Sequence, residues 1–195
     1  SFLEVRGKDG EDHYFTPGLT QYDKTHMYQT YDVTRMVRSG RNALGAMLSE
    51  GWWSGLLSFG PIWNHFGDRQ SLLARLVVRY RDGATDVVTS NARDWKHFAG
   101  GPVVYGSLDM GEVYDARKEA AIQGWSAAGY EDRGWSPARE VPLEGTAFVG
   151  ASSDPFGRAT HVSYDRMSLV GQIGASPGVY TTLTAKSVRE VREGV

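Results

Sequence analysis

Leu72-Leu73-Ala74-Arg75-Leu76-Val77-Val78-Arg79-Tyr80, followed by Arg81-Asp82-Gly83, decides the fold class of this chain. Leu72, Ala74, Leu76, Val78 and Tyr80 fall on one side of an extended backbone; Leu73, Arg75, Val77 and Arg79 fall on the other. An apolar side repeating every second residue is the pattern of a strand that covers a core. The Asp82-Gly83 pair supplies the positive φ angles of a tight hairpin, so the chain returns as a strand over Thr85–Thr89.

Working outward, the same pattern predicts strands at Tyr14–Thr16, His26–Val33, Asn42–Ser49, Val103–Tyr105, Leu169–Ile173, Val179–Thr184 and Val188–Arg192. In Asn42–Ser49 the alternation Leu44, Ala46, Leu48 leaves small Ala43 and Gly45 opposite, under a second layer. Helix is confined to short turns. Thr34–Val37 is capped by Asp32 or Thr34 and stopped by Gly40, and Asp115–Gln123 ends before Gly124 after about two turns. The 24 glycines and 7 prolines support this reading, since each interior glycine costs a helix roughly 1 kcal/mol against alanine. The predicted fold is an all-β sandwich. Residues 1–143 form the sandwich, 144–166 an excursion loop rich in turn residues, and 167–195 closing strands and a connector.

Composition excludes several functions. With 21 basic and 23 acidic side chains the net charge is −2, and no basic block offers itself to nucleic-acid phosphates. No run of even about 15 apolar residues is present, so no segment spans a membrane as a helix. Zero cysteines remove disulfides, thiolate zinc sites and cysteine nucleophiles. The five histidines show no metal-ligand spacing. Gly51-Trp52-Trp53-Ser54-Gly55 lacks the spacing and the following helix of a serine-hydrolase elbow.

The stretch Gly51–Arg69 is the candidate site, because it gathers three tryptophans in an otherwise loop-like run. Sugar rings present apolar C–H faces, so sites for them combine an aromatic plate with a few fixed polar groups. Trp52, Trp53 and Trp63 form the plate in this reading, with Glu50, Asn64, His65 and Asp68 as polar partners. The same tryptophans suit a plug closing one end of the sandwich, or a contact with a neighbouring domain. The geometry around them separates the readings: a groove with free polar groups, or rings packed inside.

Five motifs carry a resemblance. P-G-L-T-Q-Y-D-K-T-H-M-Y-Q-T-Y-D-V-T (Pro17–Thr34), G-W-W-S-G (Gly51–Gly55), F-G-D-R-Q-S-L-L-A-R-L (Phe66–Leu76), G-E-V-Y-D-A-R (Gly111–Arg117) and Y-E-D-R-G-W-S-P (Tyr130–Pro137) stand in this order. Together they resemble the amino-terminal domain of bacterial α-L-rhamnosidases of glycoside hydrolase family 78. The tail, from Leu169, resembles the connector into the rest of those enzymes. With no initiator methionine and a final strand cut short, the chain is expected to be a piece of something longer.

The resemblance implies a galactose-binding-like jelly-roll sandwich and a non-catalytic accessory role, structural or carbohydrate-contacting. It places the acid and base carboxylates of an inverting hydrolysis in a separate (α/α)₆ barrel, the expected partner of this domain, so no residue here is assigned a catalytic role. It favours the periplasm or exterior over the cytoplasm for the parent enzyme. Some relatives bind rhamnose through calcium held by an Asp-Asn pair and carbonyls. Calcium is therefore a possible cofactor here, although the sequence contains no Asp-Asn dipeptide. Within the signature motifs, the glycines suit turns and close approaches, and Tyr22, Tyr28, Tyr31 and Tyr114 suit hydroxyl ties to loops. Asp115 with Arg117, and Asp68 with Arg69, are expected as buried structural ion pairs.

Overall fold

The computed structural model describes residues 3–6, 12–15, 18–57, 62–64, 66–107, 111–141, 164–173, 181–187 and 189. The strands run β1 (Leu3–Arg6), β2 (Asp12–Phe15), β3 (Thr25–Tyr28), β4 (Leu56–Leu57), β5 (Ile62–Trp63) and β6 (Arg75–Arg79). They continue as β7 (Thr85–Thr89), β8 (Lys96–His97), β9 (Val103–Ser107), β10 (Gly111–Tyr114), β11 (Ser136–Pro137) and β12 (Ser168–Gly171). One 3₁₀ helix, Ala116–Ile122, interrupts them. The fold is all-β, as the sequence reading expects. Among the described residues the strands pair two by two: β1–β2, β4–β5, β6–β7, β8–β11 and β9–β10 antiparallel, β3–β12 parallel.

The deciding hairpin forms in register, Arg75 facing Thr89 and Arg79 facing Thr85. Its connection differs from the two-residue turn predicted. Tyr80 N donates to Ala84 O at 2.8 Å and Gly83 N to Tyr80 O at 3.1 Å, leaving a three-residue loop. Only Gly83, at φ 90°, is left-handed. This is the geometry in which a turn is followed by a glycine bulge, and it needs one positive φ rather than two. Asp82 Oδ1 accepts from Ala84 N at 3.0 Å, closing the loop from its side chain. Leu72, Ala74, Leu76 and Val78 are half-buried as the alternation requires, while Leu73 on the other face is 79% exposed. Tyr80 departs from its face: it is exposed and donates to Asp86 Oδ2 at 2.7 Å.

Asn42–Ser49 is not a strand. Asn42 instead closes a loop, its amide donating to Arg38 O at 2.7 Å and accepting from Arg38 N at 2.9 Å. The small residues read as lying under a second layer do so at Gly45: a Cβ built there would stand 2.6 Å from Trp125 Cζ3. Ser49 likewise lies against Gly106 of β9. The segment is held by close approach, not by a ladder.

Other boundaries shift. The strand predicted over His26–Val33 ends at Tyr28, and Thr34 begins a turn capped by Asp32, whose Oδ1 accepts from Thr34 N at 2.9 Å. Residues 181–184 form no strand; Val188–Arg192 lies outside the described residues except for Arg189. The predicted ion pairs are at the surface: the Arg117 side chain is 90% exposed beside Asp115, and Arg69 is 62% exposed beside Asp68. Guanidinium groups on short surface turns keep their hydration while pairing, so such contacts add little stability.

Among the described residues, Tyr22, Ser54, Phe66 and Tyr164 are buried. They come from three separate stretches, one of them beyond residue 160, and meet at the candidate site.

Candidate functional site

Trp53 sits among four rings. Its centroid is 5.2 Å from His26, 5.5 Å from Tyr164, 5.8 Å from Tyr22 and 6.3 Å from Phe66, the last stacked at 22°. Tyr22 adds edge contacts to His26 at 4.7 Å and Phe66 at 4.9 Å. Such pairs contribute about 0.5–1.5 kcal/mol each beyond the area they bury. The indole Nε1–H donates to Arg69 O at 3.0 Å, so the polar edge of this half-buried ring is engaged as well. Gly67 makes this possible: a Cβ there would meet Trp53 Cε2 at 2.6 Å.

The remaining candidates gather around Gly55. Asn64, left-handed at φ 53°, donates from its N to Gly55 O at 2.9 Å and accepts from Gly55 N through Oδ1 at 2.8 Å. This reciprocal pair extends the β4–β5 ladder, in which Trp63 faces Leu56. Gly55 has φ 94°, and a Cβ on it would stand 2.8 Å from Glu50 Oε2. That carboxylate oxygen is buried without a hydrogen-bond partner among the described residues. Ser54 is buried and its hydroxyl accepts from Gln70 Nε2 at 3.0 Å. Trp52 is half-buried. Asp68 lies at the surface, 3.4 Å from Arg69 Nε. His65 lies outside the described residues. The structure thus brings Glu50 and Asn64 together at Gly55 and folds Trp53 into the ring cluster, with Asp68 outside both.

Burial shapes the titration of the cluster. It holds the His26 imidazole below its ordinary pKa and pushes the Tyr22 hydroxyl up to about 12. Tyr164 is raised by burial first and by the Asp23 charge second, and its hydroxyl donates to Phe66 O. His26 Nε2 and Asp23 Oδ1 are buried without a hydrogen-bond partner among the described residues. The sequence reading found Tyr22 only as a loop tie and passed over Phe66, His26 and Tyr164 as members of one cluster. Tyr164 fell in the stretch taken as an excursion loop, where no period points inward.

The alpha-L-rhamnosidase N-terminal domain family matches residues 2–160. The chain belongs to this family. An alpha-L-rhamnosidase of Streptomyces avermitilis is 39% identical over 180 residues, covering 92% of this chain and 15% of that protein. An alpha-L-rhamnosidase of Formosa agariphila is 32% identical over 146 residues, covering 74% and 15%. One of an Alteromonas species is 39% identical over 119 residues, covering 61% and 12%. The rhamnosidase N-terminal domain described here therefore spans about 15% of the length of the first two relatives. No solved structure gives a significant match. The match ends before Tyr164 and β12, although both pack or pair with elements inside it.

Proposed function

We propose that this rhamnosidase N-terminal domain is a non-catalytic structural module of an enzyme that hydrolyses terminal α-L-rhamnosides, with the catalytic domain of the same chain as its partner. The observation that supports this reading is the environment of Trp53, which packs against four rings and donates its Nε1–H to Arg69 O inside the domain. Its ring contacts join β3, the Gly51–Gly55 stretch and the residues before β12. The jelly-roll strand order and the two-carboxylate chemistry in a helical barrel belong to the same proposal and rest on the family resemblance.

The other reading, a calcium-dependent rhamnose-binding module, finds less support. Among the described residues no three His, Asp or Glu side chains gather as a metal cage, and the sequence lacks the Asp-Asn pair of calcium-binding relatives. No role is derived through the ion.

The test uses 4-nitrophenyl α-L-rhamnopyranoside. The 195-residue chain is expected to release nitrophenol at the background rate. In the parent enzyme, Trp53→Ala is expected to shorten the half-life on heating while leaving KM unchanged. Turnover by the chain alone, or a raised KM with unaltered stability, overturns the reading.

A further inference from the structure

The outer side of the β6–β7 hairpin is exposed. Leu73, Arg75, Val77 and Arg79 alternate along it, and Val77 stands opposite Val87, which has Thr85 and Thr89 on either side. Leu73 is 79% exposed, Val87 49% and Val77 44%. Apolar side chains and arginines are thus interleaved on one surface.

The hairpin presents this side in a fixed form. Ser90 N donates to Ala74 O at 2.9 Å, which carries the ladder one pair beyond Arg75–Thr89. The Ser90 hydroxyl accepts from Ala74 N at 3.0 Å and donates to Leu72 O at 3.2 Å, so the open end is tied as well as the Gly83 end.

The charge on this side has one sign. Arg75 and Arg79 are exposed and enter none of the ion pairs among the described residues. The two carboxylates of the hairpin are engaged elsewhere. Asp82 accepts from Ala84 N in the loop, and Asp86, on the opposite side of β7, accepts from the Tyr80 hydroxyl. Guanidinium groups set among apolar side chains suit an interface that captures carboxylates, because the planar fork donates two parallel bonds.

Size selects the occupant. Two five-residue strands, at about 3.3 Å per residue and about 4.8 Å apart, offer a face on the order of 200 Å². A partner held by contact alone uses about 800 Å² on each side. A second copy would also bring arginines against arginines. A domain joined by the same chain docks on less, since its tether supplies a local concentration in the millimolar range. The first two relatives carry most of their length outside the stretch matched here.

We propose that the outer side of the β6–β7 hairpin is the surface on which another part of the parent chain docks, through an apolar patch bearing aspartate or glutamate opposite Arg75 and Arg79. This rests on the reading above that the domain belongs to a larger enzyme.

The test is thiol labelling, since the 195-residue chain has no cysteine of its own. Leu73→Cys is treated with a maleimide in the chain alone and in the parent enzyme. Arg117→Cys, at a side chain 90% exposed, is the reference, and mass spectrometry reads each site in its own peptide. Leu73→Cys is expected to label at least about tenfold more slowly in the parent enzyme, and Arg117→Cys alike in both. In the parent enzyme, Arg75→Glu with Arg79→Glu should bring the Leu73→Cys rate to within about threefold of the chain alone. Circular dichroism checks that each protein is folded. Should the charge reversal lose the fold, Arg75→Gln with Arg79→Gln takes its place with the same expectation. Should the chain alone not fold, the urea-unfolded parent enzyme is the reference and the arginine variants decide.

Equal Leu73→Cys rates in chain and parent enzyme, or protection that the arginine variants leave unchanged, overturns the proposal. So does protection in the chain alone that grows with its concentration, which would assign the face to a second copy. An inactive chain with equal labelling keeps the accessory reading and loses this one. Rhamnoside turnover by the chain alone, with Leu73→Cys protected in the parent enzyme, does the reverse.

Discussion

The hydroxyl of Tyr164 donates to the carbonyl of Phe66 across a sequence separation of 98 residues, and both residues are buried. The bond fastens the residues before β12 onto the ring cluster. Tyr164→Phe keeps the ring against Trp53 and removes only the donor. It is expected to cost about 1–3 kcal/mol of unfolding free energy. Urea denaturation measures this; an unchanged midpoint with an unchanged slope would show that the bond contributes nothing.

Gly67→Ala tests the close approach beneath Trp53. The added methyl cannot coexist with the indole where it stands, so the ring shifts and its bond to Arg69 O is strained. Overpacking of this kind costs about 1–3 kcal/mol. The tryptophan emission is expected to move to longer wavelength as Trp53 gains solvent; identical spectra and stability would contradict the packing described.

The cluster also sets limits on pH. His26 has a folded-state pKa below its ordinary 6.5, so the unfolded chain takes up a proton first. Stability is present above 6.5 and is lost as pH falls through the folded value. Tyr22 is raised from 10.0 to about 12, which reverses the sign: its contribution is full below 10.0 and is lost as pH rises towards 12. Thermal midpoints in matched buffers should decline on both sides. His26→Phe is expected to flatten the acid limb only, and a variant with the same acid slope as the parent would remove His26 as its cause.

At the β6–β7 turn, Gly83 has φ 90° and no neighbour within 4 Å of a Cβ built on it. Gly83→Ala therefore tests backbone conformation without a clash and is expected to cost about 1–2 kcal/mol. Gly83→Asn should recover part of that loss, because asparagine tolerates the left-handed region. Equal stability of the two variants in thermal unfolding would argue against this turn.

The hairpin was legible in the sequence because a period of two and a glycine-bearing turn are both local. Asn42–Ser49 carries a similar alternation yet makes no ladder, since Gly45 and Ser49 are fixed by Trp125 and Gly106, which only the folded chain brings near. The pattern along His26–Tyr28 indicated extension but not that the partner is β12, nor that the pairing is parallel. Trp53 shows the limit at the candidate site: an indole on a glycine-rich loop suits a sugar face and a core plug alike. Its neighbours Tyr22, Phe66 and Tyr164 come together with it only in the folded chain.

The parallel ladder between Thr25–Tyr28 and Ser168–Gly171 has a consequence for biosynthesis. A ribosome extends the chain at about 5–20 residues per second, so β3 emerges on the order of 10 s before its partner exists. During that interval its edge is open and Tyr164 has yet to reach Phe66, although the β6–β7 hairpin can already close on local contacts. The strand waits for a partner made about 140 residues after it, so its edge is the part of this ladder most exposed to wrong pairing on the way.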